Sequence, residues 1–149
     1  GPVVLGETKE GSFGVRVASS MDVDKKTGGK IRNAEGLEDA AAWGKPSAWV
    51  DYSGPIAGET LGIAILNHPT SFRYPTTWHV RTYGLFAANP FGGPEFKVDG
   101  YAEHRLAKDE SIRLAYRVVL HKGDATAIDL PRRFALYAAP PESSWEEGE

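Results

Sequence analysis

The chain has 149 residues, of which 41% are hydrophobic and 25% are charged, and its formal net charge is -3. This composition is typical of one globular domain and excludes global disorder. The absence of a Lys/Arg stripe argues against a nucleic-acid partner, and the absence of an apolar run of about 18 residues argues against a membrane protein. Cysteine is absent, which excludes disulfides and thiolate metal sites. Cysteine usage therefore does not indicate whether the protein works in an oxidising or a reducing compartment.

Apolar residues alternate with polar ones in several segments, which is the pattern of half-buried strands. In chain order, the pattern predicts strands at 13–18 (FGVRVA), 61–66 (LGIAIL), 78–86 (WHVRTYGLF) and 111–121 (SIRLAYRVVLH). Clusters of glycine, proline and asparagine between these segments predict turns.

Helical signals are few. GLEDAAAWG at 36–44 predicts one or two helical turns, and Asp129 followed by Pro131 predicts a short helix through RRFALYAA at 132–139. Many short strands with so few helices favour an all-β, mainly antiparallel β-sandwich over an α/β fold.

The domain organisation follows from this reading. We expect a single β-sandwich domain over residues 1–140. The last residues, 141–149, contain four glutamates, so we expect them to form an acidic, flexible tail.

The segment 67–93, NHPTSFRYPTTWHVRTYGLFAANPFGG, combines two histidines, two arginines and six aromatic rings and contains no Asp or Glu. A sugar site has this inventory, because aromatic faces pack on the apolar side of a sugar ring and planar polar groups bind its hydroxyls. In a strand over 78–86, the side chains of His79, Arg81 and Tyr83 project from one face. The alternative is that the rings are core, the arginines lie at the rim and the histidines cap turns.

Carboxylates limit the chemistry that this segment can perform. Glycoside hydrolysis normally uses two of them, and proton transfer on a sugar needs at least one base. No Asp or Glu occurs between Glu59 and Glu95, so an acid has to come from elsewhere in the chain. Asp51 is the candidate, since AWVDY places it on one strand face with Trp49. Its alternative role is to stabilise the adjacent turn at 53–55.

Four stretches of the chain resemble a bacterial family that is labelled PmoA-like after a methane oxygenase subunit. They are ETKEGSFGVRVASSMDVDKKTGGKIRNAEG, AWGKPSAWVDYSG, GIAILNHPTSFRYPTTWHVRTYGLFAANPFGG and RLAYRVVLHKGD. The resemblance runs from about residue 3 to about residue 137. The most specific part runs from His68-Pro69 through the WHVR motif to the NPFG motif that starts at Asn89.

The resemblance implies a β-supersandwich similar to galactose mutarotases and sugar-binding proteins, in bacteria that degrade polysaccharides. The oxygenase label itself would require spanning helices, for which the chain has no candidate. Full members of the family carry a further segment before the part matched here. We therefore expect the chain to be the carboxyl-terminal part of a larger sheet system that associates with that part or with a second copy. The compartment is open, and a periplasmic or secreted location is favoured over a cytoplasmic one.

The leading prediction is a carbohydrate-active protein whose sugar-binding cleft is lined by 67–93 and roofed by 68–75. If it is an enzyme, its reaction is proton transfer on a glycoside or sugar, as hydrolysis, elimination or epimerisation. The candidate catalytic residues are His68, His79 and Asp51, and the candidate substrate-binding residues are Arg73, Trp78, Arg81, Tyr83, Asn89 and Trp49.

Two alternatives from other classes stay open. A non-catalytic carbohydrate-binding or assembly module needs no acid beside His68 or His79. A metal-dependent oxygenase, in line with the family label, needs a metal site, but the four histidines, which also include His104 and His121, lack metal-ligand spacing. We therefore expect no cofactor, with a divalent metal as the lesser alternative.

Overall fold

The computed structural model describes residues 1–140 and is an all-β, sandwich-like fold. This confirms the predicted fold class. The predicted acidic tail at 141–149 lies outside the described residues. The strands are β1 (Val3–Leu5), β2 (Phe13–Arg16), β3 (Lys30–Asn33), β4 (Trp49–Ile56), β5 (Glu59–Asn67), β6 (Thr77–Val80), β7 (Leu85–Asn89), β8 (His104–Leu106) and β9 (Tyr116–Lys122), and the helices are α1 (Gly93–Phe96) and α2 (Leu130–Ala138).

The strands form three antiparallel sheets. A four-stranded sheet has the order β3-β4-β5-β9, a three-stranded sheet has the order β2-β7-β6, and β1 pairs with β8. In the four-stranded sheet Asp51 is opposite Ala64 and Gly62 is opposite His121. In the three-stranded sheet His79 is opposite Ala87. These registers decide which polar side chains become neighbours.

The main core lies between the two larger sheets. Alternate residues along each strand point inward. Val50, Tyr52 and Ile65 of one sheet therefore pack against Trp78 and Phe86 of the other. The residues between them in sequence point outward on both sheets. Each sheet therefore also has an outer face.

The outer face of the four-stranded sheet is covered by α2. Trp49, Ala64 and Leu66 pack there against Leu130. The helix starts as the sequence predicts, since the Asp129 carboxylate accepts a 3.0 Å hydrogen bond from the Arg132 N–H and a proline stands in the first turn. The helical turn predicted at 36–44 is a short 3₁₀ segment, Asp39–Ala42.

The single strand predicted at 78–86 is wrong. The chain forms a hairpin there, with β6 ending at Val80 and β7 beginning at Leu85. The Arg81 N–H donates to the Leu85 carbonyl at 2.7 Å, and Gly84 closes the turn with a φ of +92°. Only the left-handed region, which glycine favours, allows that backbone, so the apparent alternation runs through a turn.

The strand predicted at 111–121 begins only at Tyr116. The preceding residues bond to the 68–72 loop instead, because the Phe72 N–H donates to the Arg113 carbonyl at 2.8 Å. An extended segment with apolar residues can pair with a loop as readily as with a strand, and sequence alternation does not distinguish the two.

The sandwich is open along one side. Strands β2 and β9 each lie at the end of their sheets in the described part of the chain, and between them is an apolar cavity of about 560 Å³. Beside it Val118 is 42% exposed and Leu120 is 77% exposed. Within residues 1–140, no helix has the length and apolar character needed to cross a membrane.

Candidate functional site

The structure divides the predicted site residues between the two outer faces of the sandwich. His79 lies between the inward-facing Trp78 and Val80, so it points outward from the three-stranded sheet. Asp51 lies between the inward-facing Val50 and Tyr52 and points outward from the four-stranded sheet. The two candidate catalytic groups are therefore on opposite sides of the core.

His79 is covered by two aromatic rings. The Phe96 ring stacks on it at 5.9 Å between centroids, and the Trp43 ring meets it edge-on at 6.3 Å. The Trp43 indole N–H donates to Nδ1 of His79 at 3.4 Å. Burial lowers the pKa of His79 below its usual 6.5; the charges of Glu10 and Glu95 oppose this, and those of Arg81 and Lys9 add to it. Because Nδ1 accepts a hydrogen bond, the neutral imidazole carries its proton on Nε2.

A pocket of about 260 Å³ lies beside this cluster. We call it the Trp43–Arg81 pocket; it is lined by Ala40, Trp43, Val80, Arg81 and Thr82. The Arg81 guanidinium lies over the Trp43 ring at 5.5 Å and over the Tyr83 ring at 5.3 Å. Tyr83 itself is 43% exposed. The pocket therefore has an indole and a guanidinium in its lining, and a solvent-exposed phenol lies next to the guanidinium.

The predicted roof of the cleft is not beside this pocket. The walls come from the β6–β7 turn and from the 39–43 segment, which sequence analysis did not assign to the site. Residues 68–75 lie elsewhere, and His68 shows this: its Nδ1 is 2.8 Å from the Thr70 hydroxyl, and its ring contacts Tyr137 of α2 at 4.8 Å. His68 and His79 therefore do not share one cleft.

Three predicted substrate-binding residues are structural. Trp78 is fully buried in the main core, and its indole N–H donates to the Ser47 carbonyl at 3.0 Å. Asn89 is fully buried and donates to the Thr8 carbonyl at 2.7 Å. Trp49 shares a face with Asp51 as predicted but is covered by α2. A ligand cannot reach these three side chains, which corrects the sugar-binding roles assigned to them.

Arg73 also has a structural role, because its guanidinium is held by contacts within the fold. Its Nη1 lies 2.6 Å from the Glu7 carboxylate and 2.8 Å from the Pro90 carbonyl, and its Nη2 donates to the Ala102 carbonyl. The guanidinium also lies 4.7 Å from the Tyr101 ring centroid. Arg73 therefore joins three separate segments of the chain, which corrects its role as a free anion clamp.

Asp51 has a partner that sequence analysis did not assign. Its Oδ1 lies 2.6 Å from Nε2 of His121, and the two side chains are 1% and 4% exposed. Burial raises the pKa of Asp51 to about 6, while the hydrogen bond from His121 acts in the opposite direction. The cavity beside Asp51, which Lys30 and Asp124 help to line, is only about 50 Å³ and too small for a sugar, while His121 also borders the apolar cavity of about 560 Å³.

Gly62 makes this pair possible. It lies on β5, between the strands that carry Asp51 and His121. A Cβ at Gly62 would lie 2.2 Å from Cε1 of His121, so the imidazole crosses the strand where there is no side chain. The sequence signal is a glycine within an alternating apolar strand, which marks a close approach, but it does not identify the approaching residue.

The histidines do not assemble a metal centre or a catalytic dyad at the pocket. Within residues 1–140, no three His, Asp or Glu side chains are grouped to hold a metal ion. In the same part of the chain, the only histidine within 4.0 Å of a carboxylate is His121. His68 and His79 therefore have no carboxylate within 4.0 Å among the described residues, although Glu10 and Glu95 act on His79 from a greater distance.

Comparisons with known proteins give a family but no activity. Residues 1–135 match a family of unknown function, DUF6807, and the chain belongs to that family. No curated protein matches the chain. No solved structure matches it either. The resemblance to PmoA-like and mutarotase-like proteins stays a prediction.

Proposed function

We propose that this DUF6807 chain binds carbohydrate at the Trp43–Arg81 pocket and acts as a binding module. The observation that carries the proposal is the pocket itself, which Trp43 and Arg81 line together, with the Tyr83 ring 5.3 Å from the Arg81 guanidinium outside it. Aromatic faces pack on the apolar C–H side of a sugar, and planar donors bind its hydroxyls.

The size of the pocket supports a small ligand. Its volume of about 260 Å³ is just below the range of about 300–1,000 Å³ that is common for drug-sized ligands. One sugar residue is a suitable occupant, and the exposed Tyr83 ring extends the contact surface beyond the pocket. The Trp43 ring is held in place by Phe96 at 5.1 Å, so binding does not require it to be ordered.

Binding is favoured over catalysis because of what surrounds His79. Proton transfer at an anomeric carbon needs a base, and the described residues place no carboxylate within 4.0 Å of this histidine. The lowered pKa keeps His79 neutral around pH 7, and its Nδ1 is already occupied by Trp43. A catalytic role for His79, His68 or Asp51 stays a prediction.

The test is a binding screen with neutral and acidic methyl glycosides, followed by NMR with the Trp43 indole N–H as the reporter. We expect the Trp43 signal to shift on binding and the Tyr83→Ala variant to bind about 3- to 10-fold more weakly. Affinity should change by less than about twofold between about pH 5 and pH 8, since the proposed contacts come from Trp43, Arg81 and Tyr83 and include no histidine. Product formation from any glycoside would show an enzyme instead.

Tyr137→Ala is the matched control. It removes an aromatic ring of the same type from α2, on the other outer face of the sandwich. The proposal fails if none of the sugars shifts the Trp43 signal, or if Tyr83→Ala and Tyr137→Ala weaken binding equally.

A further inference from the structure

Two arginines meet at the exposed Tyr83 ring. The guanidinium of Arg81 lies 5.3 Å from the ring centroid, and that of Arg16 lies 5.7 Å from it. Arg16 is also fixed by a 3.1 Å hydrogen bond from its Nη1 to the Tyr83 carbonyl. Strand β2 and the β6–β7 turn thus place two positive charges around one phenol.

Neither guanidinium has a carboxylate partner within 4.0 Å among residues 1–140, whereas Arg73 and Arg32 have Glu7 and Glu38. Two acids do approach the same turn. However, Asp22 pairs with Lys25 at 3.7 Å, and Asp24 meets the turn through its backbone N–H.

The lack of a carboxylate partner does not by itself distinguish Arg81 from other arginines of the chain. Arg117 also has no carboxylate within 4.0 Å in the described part of the chain, and it lies over the Tyr137 ring at 4.4 Å. Arg81 differs because it is half-buried and lines a pocket, while Arg117 is exposed on β9. A partly desolvated guanidinium binds an anion more strongly than one in open solvent.

The two rings also order the Arg81 side chain before a ligand arrives. Arginine has substantial rotamer freedom, and stacking on Trp43 and Tyr83 removes part of it in advance. A guanidinium that stacks on aromatic faces keeps its in-plane N–H groups available for a planar, two-oxygen acceptor. A sugar carboxylate is such an acceptor, while a hydroxyl is not.

We infer that the sugar recognised at the Trp43–Arg81 pocket is acidic, with a carboxylate that Arg81 binds directly and Arg16 attracts. The inference rests on the proposed function and adds the substrate class to it. Tyr83 would have two roles: its ring contacts the sugar, and it keeps the guanidinium groups of Arg16 and Arg81 close to the ligand.

The experiment compares methyl β-D-glucuronide with methyl β-D-glucoside, which differ in the carboxylate. We expect the glucuronide to bind about tenfold more tightly, because a charge-assisted bidentate contact replaces a neutral one. This preference should shrink when the salt concentration rises from about 0.02 M to about 0.5 M. Both measurements use the unchanged chain, so they do not depend on the folding of a variant.

The variants then assign the effect to residues. Arg81→Gln should bring the two affinities within about twofold of each other. Arg81→Lys should keep part of the preference, because lysine keeps the positive charge but cannot donate two parallel hydrogen bonds to a carboxylate. Arg16→Gln should reduce the preference to a smaller extent. Arg117→Gln is the matched control, since it removes an arginine that also lies over a tyrosine, and it should leave the preference unchanged.

The outcomes separate this inference from the proposed function. Equal binding of the two sugars, or a preference that survives Arg81→Gln, would overturn the acidic substrate class and leave sugar binding intact. Binding of neither sugar, with no other glycoside of the screen bound, would overturn both.

Discussion

The two outer faces of the sandwich each carry a buried histidine, and they use it differently. On the four-stranded sheet, His121 meets Asp51 at 2.6 Å beneath a cavity of only about 50 Å³. On the three-stranded sheet, His79 accepts from the Trp43 indole beside a pocket of about 260 Å³ that Arg81 lines, with no carboxylate within 4.0 Å of Arg81 among residues 1–140. One face satisfies its charges internally, and the other leaves them to solvent or a ligand.

The difference shows why the residue type alone did not locate the site. An Asp–His pair has the composition of an acid–base dyad, but here Nε2 of His121 is taken up by Asp51 and both side chains are buried. The Arg81 surface has no acid within 4.0 Å in residues 1–140, but its polar groups are available. We therefore assign stability to the first face and binding to the second.

His121→Ala should have the largest effect and would test the structural half of this comparison. It leaves the Asp51 carboxylate buried without its partner and removes the ring above Gly62. We expect the free energy of unfolding at about pH 7 to fall by about 3–5 kcal/mol, the usual cost of breaking a buried pair. Urea unfolding measures it.

The adjacent residue provides the control. Lys122 pairs with Glu59 at 2.9 Å, but both side chains are largely exposed. Lys122→Ala should cost less than about 1 kcal/mol, as is typical of surface ion pairs. Similar losses for the two variants would contradict a special role for the buried pair.

The pH dependence of stability is the second test. Burial raises the pKa of Asp51 from 3.8 to about 6 against the lowering influence of His121. The folded protein therefore binds this proton more tightly than the unfolded chain, so the contribution favours folding below about pH 4 and is lost as the pH rises through about 6. A shift of about two units corresponds to about 3 kcal/mol.

The measurement compares the free energy of unfolding of the unchanged chain and of Asp51→Asn from about pH 4 to about pH 7. As the pH rises, the free energy of unfolding of the unchanged chain should fall relative to that of Asp51→Asn. Lys30 and Asp124 are common to both proteins, so their contributions largely cancel, and the pH dependence that remains belongs to the coupled Asp51–His121 pair. A difference that does not vary with pH would show that Asp51 titrates near its usual value.

Arg81→Ala should have the smallest effect on stability and sharpens the other half of the comparison. The guanidinium makes ring contacts at a half-exposed position and has no carboxylate within 4.0 Å in the described region. We expect a loss below about 1 kcal/mol in urea unfolding. A loss comparable to that of His121→Ala would make Arg81 a structural residue and weaken the binding proposal.

Much of the fold follows from local pattern. The strands at 13–16 and 59–67 and the helix that Asp129 caps were predictable, because alternation and capping are properties of adjacent residues. The hairpin at 77–89 was not, since its alternation continues through the turn and only the Gly84 backbone shows the reversal.

The site was predictable only in part. His79, Arg81 and Tyr83 were named from the sequence, and the structure brings them around one edge of the three-stranded sheet. Trp43 was not named, because it reaches the pocket from the 39–43 segment, 36 residues away from His79 in sequence. Arg73 was assigned to the site because it lies in the 67–93 segment. Its structural role was not visible in the sequence, since its partner Glu7 lies 66 residues away.

The sequence by itself determined the composition of each strand face, the sandwich class and the unusual lack of acids between Glu59 and Glu95. Tertiary structure alone decided which charges find partners, since pairing depends on register and on strand order. Asp51 reaches His121 across the glycine of β5, while the fold brings no acid within 4.0 Å of Arg81 in residues 1–140. Side-chain charge is a local property, but its neutralisation requires contact between distant segments.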